Sequence, residues 1–192
     1  MTGSAEPVVM SWDERYLGRL PAGEVSELVR AACDLAPAPG RALVLACGMS
    51  AAPRALAAAG YSVEALDTSR VAIETMRGEC KADAAAGGGT VKYRVADVET
   101  VELPPLRYRL VVGEKYWSGP VFDRAAGATE VGGLLVWSSL DAPPPGRSAR
   151  WVPAPGEPSG RLPGSFDVLL DDVPSAGAHR LRRLIARRRE AW

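Results

Sequence analysis

Short runs of apolar residues without polar interruption recur along the chain, and they limit its fold more than any other feature. The sequence reads ALVLA over 42–46, LVV over 110–112 and LLVW over 134–137. Such runs are typical of strands buried on both faces, as in parallel sheets. Because helical patterns separate these runs, the sequence predicts an α/β fold with a doubly wound, Rossmann-like parallel sheet.

Capping and helix-breaking residues predict where the first helices begin and end. An apolar stripe predicts a helix over 24–35. Ser50 is expected to cap the next helix, with Pro53 in its first turn, and Gly60 is expected to close it. The stripe of the first helix consists of Val25, Leu28, Val29, Ala32 and Leu35.

The remaining elements follow from the same signals. Ser69 is expected to cap a helix over 70–85, which stops before the glycines at 87–89. The segment after those glycines alternates apolar and polar residues, which indicates a strand near a sheet edge. Strands are predicted over 41–46, 61–67, 91–97, 108–113, 133–140 and 166–173.

The chain length predicts one domain over 1–192, with an N-terminal cap segment and helix at 1–36. The stretch 143–164 is rich in Pro and Gly, so we expect a loop or flap there, with Trp151 as part of a pocket lid. The basic segment 180–189 fits either a strand or a helix.

Composition excludes several classes of function. Basic and acidic residues number 23 each, so no net charge attracts nucleic acid or an anionic membrane. The 3 cysteines are widely spaced and there is 1 histidine, His179, which we expect at the surface, so neither a zinc site nor a disulfide framework is indicated. No signal peptide pattern is present at the N-terminus, and no apolar run reaches the ~20 residues of a membrane span. We therefore expect a cytoplasmic protein, monomeric or homodimeric, without nucleic-acid or membrane partners.

Two residues at predicted strand ends suggest a nucleotide-like ligand. Gly48 follows the first apolar run, and glycine lets the backbone approach a ligand closely. Asp67 ends the next strand about 20 residues later, the spacing of an acid that holds both hydroxyls of a ribose. Taken singly, Gly48 also fits a tight turn and Asp67 a helix cap. The pair together favours cofactor binding.

Two further strand ends carry polar and aromatic residues. Asp97 follows the third strand and can accept a hydrogen bond from an exocyclic amine such as adenine N6, although a surface loop is an equal interpretation. GEKYW at 113–117 emerges from a buried strand and places an acid, a base and two aromatic rings together. Such a combination predicts the wall of a pocket.

These motifs resemble those of class I S-adenosylmethionine-dependent methyltransferases over nearly the whole chain. The tail resembles that of tellurite-resistance and thiopurine-type enzymes. The resemblance implies a seven-stranded, mostly parallel sheet with an antiparallel last strand, and S-adenosylmethionine as cofactor with S-adenosylhomocysteine as product. The matching stretches are SWDERY at 11–16, LVLACGMS at 43–50 (motif I), VEALDTS at 63–69 (motif II), VADVE at 95–99 (the adenine-binding loop), YRLVVGEKYW at 108–117 (motif IV) and GGLLVW at 132–137.

The chain departs from the family pattern at three positions. Many members have an acid at the position of Val44 and a glycine at the position of Ser50, and an acid commonly stands where this chain has Arg109. A branch that includes protein-lysine methyltransferases acting on elongation factors has the first two changes, and EK at 114–115 is similar to it. The segment between 117 and 132 is too short for the substrate elements of that branch.

The resemblance implies roles for particular residues. Trp12, Arg15 and Tyr16 are expected to close over the methionine end of the cofactor, with Arg15 pairing with its carboxylate. Packing of the N-terminal segment on the core is the alternative for the two aromatic residues. Glu114 and Tyr116 are placed to deprotonate or orient a nucleophile. The cofactor-binding set is Trp12, Arg15, Tyr16, Ala46, Cys47, Gly48, Asp67, Thr68, Asp97, Val98 and Gly113, with no metal ligands.

We expect a methyltransferase that acts on N, O or S of a small molecule. One alternative is a catalytically degenerate protein that binds a cofactor or partner without turnover. A protein-lysine methyltransferase whose arginine-rich tail docks an acidic partner is another. An NAD-dependent dehydrogenase fits the ribose argument equally well but lacks the full G-x-G-x-x-G motif. Cys47 is expected to pack rather than react.

Overall fold

The computed structural model describes residues 11–83, 89–143, 149–174 and 180–190. Two short 3-10 helices, Ala149–Trp151 and Ser159–Arg161, lie in the stretch predicted as a flap. The helices are α1 (Trp12–Tyr16), α2 (Glu27–Leu35), α3 (Ala52–Ala58), α4 (Arg70–Asp83) and α5 (Gly119–Ala128). The strands are β1 (Gly40–Leu45), β2 (Tyr61–Asp67), β3 (Thr90–Val95), β4 (Tyr108–Gly113), β5 (Thr129–Leu140), β6 (Phe166–Asp172) and β7 (Leu181–Arg188).

The strands form one sheet of 7 strands in the order β3-β2-β1-β4-β5-β7-β6. Neighbouring strands from β3 to β5 run parallel, and β7 is antiparallel to both β5 and β6. This confirms the doubly wound α/β sheet with an antiparallel last strand. The basic segment 180–189, which fits either a strand or a helix in the sequence, contains the strand β7. Strand order reverses between β1 and β4, where open α/β sheets bind their ligands.

Helices cover both faces of the sheet. The helices α2, α3 and α4 bury Val29, Leu56 and Ile73 against one face. The helix α5 buries Val121 and Phe122 against the other face. Together these layers hold the carboxyl ends of β1, β2 and β4 at one rim of the sheet, which fixes where a site can form.

Several local predictions are confirmed. The Ser69 hydroxyl accepts a hydrogen bond from the Ala72 amide at 3.1 Å and so caps α4. Gly60 has a φ of 98° directly after α3, a conformation that favours glycine. The strand predicted near a sheet edge is β3, which lies at the end of the strand order. Capping and turn chemistry are local, so the sequence alone reveals them.

Other boundaries were wrong. The first predicted helix begins at Glu27 rather than 24, because Ser26 caps it through a 3.2 Å hydrogen bond from the Val29 amide. Leu35, expected on the buried stripe, is 43% exposed. Ser50 lies one residue outside the cap position of α3, although its hydroxyl accepts from the Ala52 amide at 3.1 Å.

One helix was not predicted, and two strands have an end that differs from the predicted one. The helix α5 buries Val121, Phe122, Ala125 and Ala126 at helical spacing, but this stripe is short and half of it is alanine, so it is a weak signal in the sequence. The fifth strand begins at Thr129 rather than 133, and the third ends at Val95.

Three further points concern His179, membrane-spanning helices and metal sites. His179 lies outside them. No helix among those described is long and apolar enough to cross a membrane. Within the same ranges, no group of three His, Cys, Asp or Glu side chains is arranged to hold a metal ion.

Candidate functional site

A cleft of about 1160 Å³ opens at the carboxyl ends of the parallel strands. Its walls come from the loops after β1, β2, β3 and β4, from the end of β5, and from α1 and α2. This volume exceeds the roughly 300–1,000 Å³ of a pocket for one drug-sized ligand. The cleft is therefore larger than a pocket that one such ligand fills.

Asp67 joins the first two strand ends. Its Oδ2 accepts a hydrogen bond from the Gly48 amide at 2.7 Å, and its Oδ1 accepts one from the Ser69 amide at 2.8 Å. Because β1 and β2 are adjacent and parallel, with Leu45 paired to Leu66, their ends meet at this point. The sequence prediction that Gly48 and Asp67 converge is confirmed.

The environment of Asp67 suits a ligand hydroxyl. The residue lines the cleft and is 5% exposed. Burial raises the pKa of Asp67, while the hydrogen bonds from Ser69 and Gly48 oppose that rise. A carboxylate offers about four acceptor positions and the backbone takes two, so each oxygen can still accept from a ligand.

The backbone after β1 is strained and closely packed. Ala46 and Gly48 have φ values of 48° and 47°, in the left-handed region that favours glycine. A Cβ atom on Gly48 would lie 2.1 Å from the Tyr16 hydroxyl oxygen, so this glycine is also required by the packing of Tyr16. Strain of this kind is concentrated at functional sites. Cys47, between them, is buried, which raises the pKa of its thiol and supports a packing role.

The helix α1 covers one side of the cleft and supplies three of the predicted cofactor-binding residues. The rings of Trp12 and Tyr16 stack with centroids 6.3 Å apart, and the Arg15 guanidinium carbon lies 4.9 Å from the centroid of the Trp12 ring. Burial and the nearby Asp67 carboxylate raise the pKa of Tyr16 to about 12, so its hydroxyl stays protonated at neutral pH. Within the described ranges, the Arg15 side chain has no acidic partner, so it is available to an anionic ligand.

Asp13 holds α1 in place, which sequence reasoning missed. Its Oδ1 accepts from the Ser69 hydroxyl at 2.5 Å and from the Val71 amide at 3.1 Å. A capping box between Ser11 and Glu14 stabilises the helix itself, with hydrogen bonds of 2.6 and 3.2 Å. The acidic residue in the SWDERY stretch was the available signal, but its partners are far away in sequence.

The loop after β3 contributes the predicted adenine-binding residues. Asp97 is exposed at the cleft, and its Oδ1 accepts from the Glu99 amide at 2.9 Å. Val98 is 7% exposed and also lines the cleft. Arg124 of α5 donates to the carbonyls of Val98 and Glu99 at 2.6 and 2.9 Å and fixes this loop.

The loop after β4 brings the two predicted catalytic residues, Glu114 and Tyr116, to the cleft, but they differ in their hydrogen bonding. The Tyr116 hydroxyl donates to Glu99 Oε1 at 2.7 Å, and the Ser118 hydroxyl donates to Glu99 Oε2 at 2.9 Å. Burial and the hydrogen bond to Glu99 raise the pKa of Tyr116, so this arrangement disfavours Tyr116 as a base. Glu114 lines the cleft and accepts no hydrogen bond from any described residue.

Not every predicted residue lies on the cleft wall. A Cβ atom on Gly113 would come within 2.6 Å of the Trp137 ring, so packing under that indole explains this glycine. Gly48 contributes its backbone amide, which donates to Asp67. Thr68 is exposed on the cleft wall beside Asp67. Val44 is 1% exposed in the core. Arg109 pairs with Glu130 at 3.6 Å near the start of β4, so this departure leaves the site unchanged.

Comparisons with known proteins bear on the fold. No protein-family model matches the sequence, and no curated protein matches it. Among solved structures, TehB from Haemophilus influenzae aligns with a TM-score of 0.72 and 16% identity over 92% of this chain. The magnesium protoporphyrin IX methyltransferase ChlM from Synechocystis PCC 6803, solved with bound SAM, aligns with a TM-score of 0.64 and 15% identity, covering 93% of this chain and 89% of ChlM.

The chain has the class I methyltransferase fold. It covers 66% of the TehB chain, slightly less than two thirds. The same fold occurs in the [4+2]-cyclase SpnF, which aligns with a TM-score of 0.65 and 11% identity over 85% of this chain and 80% of SpnF. Since a fold does not fix a reaction, the activity of this chain has to be argued from its own cleft.

Proposed function

We propose that the protein binds S-adenosylmethionine in the strand-end cleft and catalyses methyl transfer to N, O or S of a small molecule. The observation that carries the proposal is the 2.7 Å hydrogen bond from the Gly48 amide to Asp67 at the point where strand order reverses. It places a buried carboxylate at the carboxyl end of β2, the position from which an acid can accept hydrogen bonds from the hydroxyls of a ribose.

The residues around this contact fit the rest of the cofactor. Asp67 would hold the ribose hydroxyls, Asp97 and Val98 the adenine, and Arg15 the methionine carboxylate. The rings of Trp12 and Tyr16, which stack on each other beside the cleft, would contact the positive sulfur. When bound, S-adenosylmethionine supplies a methyl group already activated by its positively charged sulfur.

The chain itself has to align the acceptor and exclude water. The helix α1, attached through Asp13, covers one side of the cleft, and Trp151 covers another side by packing against Tyr116 with ring centroids 5.5 Å apart. Glu114 is the acidic group at the β4 end that is available to orient a nucleophile or accept its proton. An acceptor that loses its proton easily would need no stronger base.

The contacts of β7 weaken the protein-docking alternative. Arg183 forms two hydrogen bonds of 2.8 and 2.7 Å with Asp172, and Arg182 forms one of 3.0 Å with Asp171. Arg188 donates to the carbonyl of Ala126 at 3.0 Å. Because these guanidinium groups serve the chain's own structure, the arginine-rich tail offers less charge to an acidic partner.

Titration calorimetry separates the proposal from its rivals. We expect S-adenosylmethionine and S-adenosylhomocysteine to bind with dissociation constants in the micromolar range and NAD to give no heat. Binding without methyl transfer to any of a panel of amines, phenols and thiols would favour the degenerate alternative. Absence of heat with both adenosyl compounds would overturn the proposal.

A further inference from the structure

The cleft continues past the residues assigned to the cofactor, into a part that we call the acceptor subsite. This part lies beyond the ends of β4 and β5 and reaches the 3-10 helix at 149–151 and the start of β7. Its wall is mainly apolar and aromatic, with one acidic side chain. It consists of Glu114, Tyr116, Leu140, Trp151, Pro174 and Leu181.

Two aromatic rings form a fixed surface in this subsite. The Tyr116 and Trp151 rings lie 5.5 Å apart at an angle of 42°. Tyr116 also packs on Trp137 at 6.4 Å, and the Trp137 indole nitrogen donates to the Tyr116 carbonyl at 2.7 Å. These contacts fix the ring of Tyr116, which is 9% exposed, and the Arg150 guanidinium carbon lies 4.8 Å from the centroid of the Trp151 ring. A ligand ring would therefore meet the exposed part of Tyr116 and the Trp151 indole without a rearrangement of Tyr116.

The hydrogen-bonding groups of this subsite leave one acceptor available. Tyr116 uses its only hydroxyl hydrogen on Glu99, whose second oxygen accepts from Ser118. Glu114 is half-buried at the edge of the same surface, and no described residue donates to it. A ligand that lies on the two rings thus meets a carboxylate that lacks a donor.

The charges near the two rings favour a donor that is neutral or positive. The carboxylates of Asp97, Glu99 and Glu114 line this end of the cleft. Its basic side chains are Lys115, Arg183, which is paired with Asp172 at 2.7 Å, and Arg150, whose guanidinium carbon lies 4.8 Å from the centroid of the Trp151 ring. The Lys115 side chain is exposed, and its backbone, at a φ of 54°, is held by a 3.0 Å hydrogen bond to the Ser138 hydroxyl. Three carboxylates against Lys115 and Arg150 leave this end of the cleft with a net negative charge, which disfavours an acceptor that carries its own carboxylate.

We propose that the acceptor subsite takes an amine carried on, or one carbon from, a planar aromatic ring, with the ring on Tyr116 and Trp151 and an N–H donated to Glu114. This inference rests on the proposed function and narrows its N, O or S acceptor to an amine nitrogen on or near an aromatic ring. Glu99 acts as a positioning residue, because it fixes Tyr116 and leaves Glu114 as the recognising group.

The test compares three probes on protein saturated with S-adenosylhomocysteine, by ligand-observed NMR titration. Benzylamine has the ring and the amine, cyclohexylmethylamine has the amine without a planar ring, and phenylacetate has the ring with a carboxylate. We expect benzylamine to bind about tenfold more tightly than either of the others.

Two variants test the contact of the amine with Glu114 and the contact of the ring with Trp151 separately. Glu114→Gln should weaken benzylamine binding about tenfold, and Trp151→Leu should remove the preference for benzylamine over cyclohexylmethylamine. Glu102→Gln, at an exposed carboxylate outside the cleft, is the matched control and should change neither. For all three variants, the affinity for S-adenosylhomocysteine should stay within about twofold of the unmodified protein's.

The outcomes separate this inference from the function on which it rests. Binding of S-adenosylhomocysteine together with equal affinity for the three probes, or with tighter binding of phenylacetate, overturns the acceptor assignment alone. Lack of S-adenosylhomocysteine binding overturns the proposed function, and the acceptor assignment with it. An unchanged benzylamine affinity in Glu114→Gln also contradicts the assignment.

Discussion

The β6–β7 hairpin and the strand-end cleft both carry many charged side chains, but they use them differently. In the hairpin, Arg182 and Arg183 face Asp171 and Asp172 at 2.7–3.0 Å. In the cleft, Arg15 has no ionic partner among the described residues, although it lies in the same short helix as two carboxylates. Charges that are neutralised within the chain stabilise the fold, whereas charges left without a partner beside a cavity are available to a ligand.

The largest effect is expected where the cleft backbone is tightest. Gly48→Ala should cost about 1–3 kcal/mol of unfolding free energy, because it forces a left-handed φ on alanine and displaces Tyr16. In a Tyr16→Ala background the cost should fall to about 1 kcal/mol, the backbone part alone. Denaturant unfolding of the four proteins measures this difference. An equal cost in both backgrounds would mean that Tyr16 does not pack on this loop.

The next prediction compares an arginine of each region. Arg15→Ala should weaken S-adenosylhomocysteine binding at least about tenfold, because a charge-assisted hydrogen bond is lost. Adenosine, which has no carboxylate, should bind both proteins equally. Arg182→Ala in the hairpin should leave both affinities unchanged and cost at most about 1 kcal/mol of stability, since its ion pair is partly exposed. The reverse pattern in calorimetry would contradict the distinction between the two regions.

Acid should loosen α1 from α4. Hydrogen bonds from the Ser69 hydroxyl and the Val71 amide lower the pKa of Asp13. A lowered pKa means that this stabilisation is present above the unfolded value of about 3.9 and is lost as pH falls through the folded value. The fluorescence of Trp12 should therefore change below about pH 4. It is obtained by subtracting the spectrum of Trp12→Phe from that of the unmodified protein at each pH. Asp13→Asn should show the loosened signal at neutral pH, and an unchanged signal there would exclude this attachment.

The smallest effect concerns strain at Ala46. Because its φ is 48°, Ala46→Gly should raise the unfolding free energy by about 0.5–1 kcal/mol. Leu106→Gly, at a φ of 50° outside the cleft, is the matched control and should give a similar gain. Thermal unfolding measures both. A loss of stability in Ala46→Gly alone would show that the alanine methyl group has a packing role that outweighs the strain.

Much of the fold could be predicted because its determinants are local. A few neighbouring residues are enough to predict three of its features: the apolar run of β1, the cap at Ser69 and the glycine after α3. The convergence of Gly48 and Asp67 was also predictable, since adjacent parallel strands bring their ends together. The helix α5 was missed because its apolar stripe is short and half alanine, which makes a weak signal.

The contacts between loops could not be predicted in the same way. Glu99 and Tyr116 lie on loops after different strands, and nothing in their spacing indicates a 2.7 Å hydrogen bond. Asp13 reaches Ser69 across most of the first half of the chain. Gly113 has the appearance of a ligand-binding glycine in the sequence, but the Trp137 ring explains it. Such assignments depend on tertiary packing, which one sequence does not contain.

The most direct test of the central claim measures ribose recognition with the protein intact. Titration calorimetry with adenosine and 2′-deoxyadenosine should show at least about tenfold tighter binding of adenosine, because the Asp67 carboxylate accepts from the ribose hydroxyl. In Asp67→Asn the ratio should fall close to one, and since it is taken within one protein, any loss of overall stability cancels. Equal affinities in the unmodified protein, or a preference that persists in Asp67→Asn, would contradict the claim that Asp67 holds the ribose.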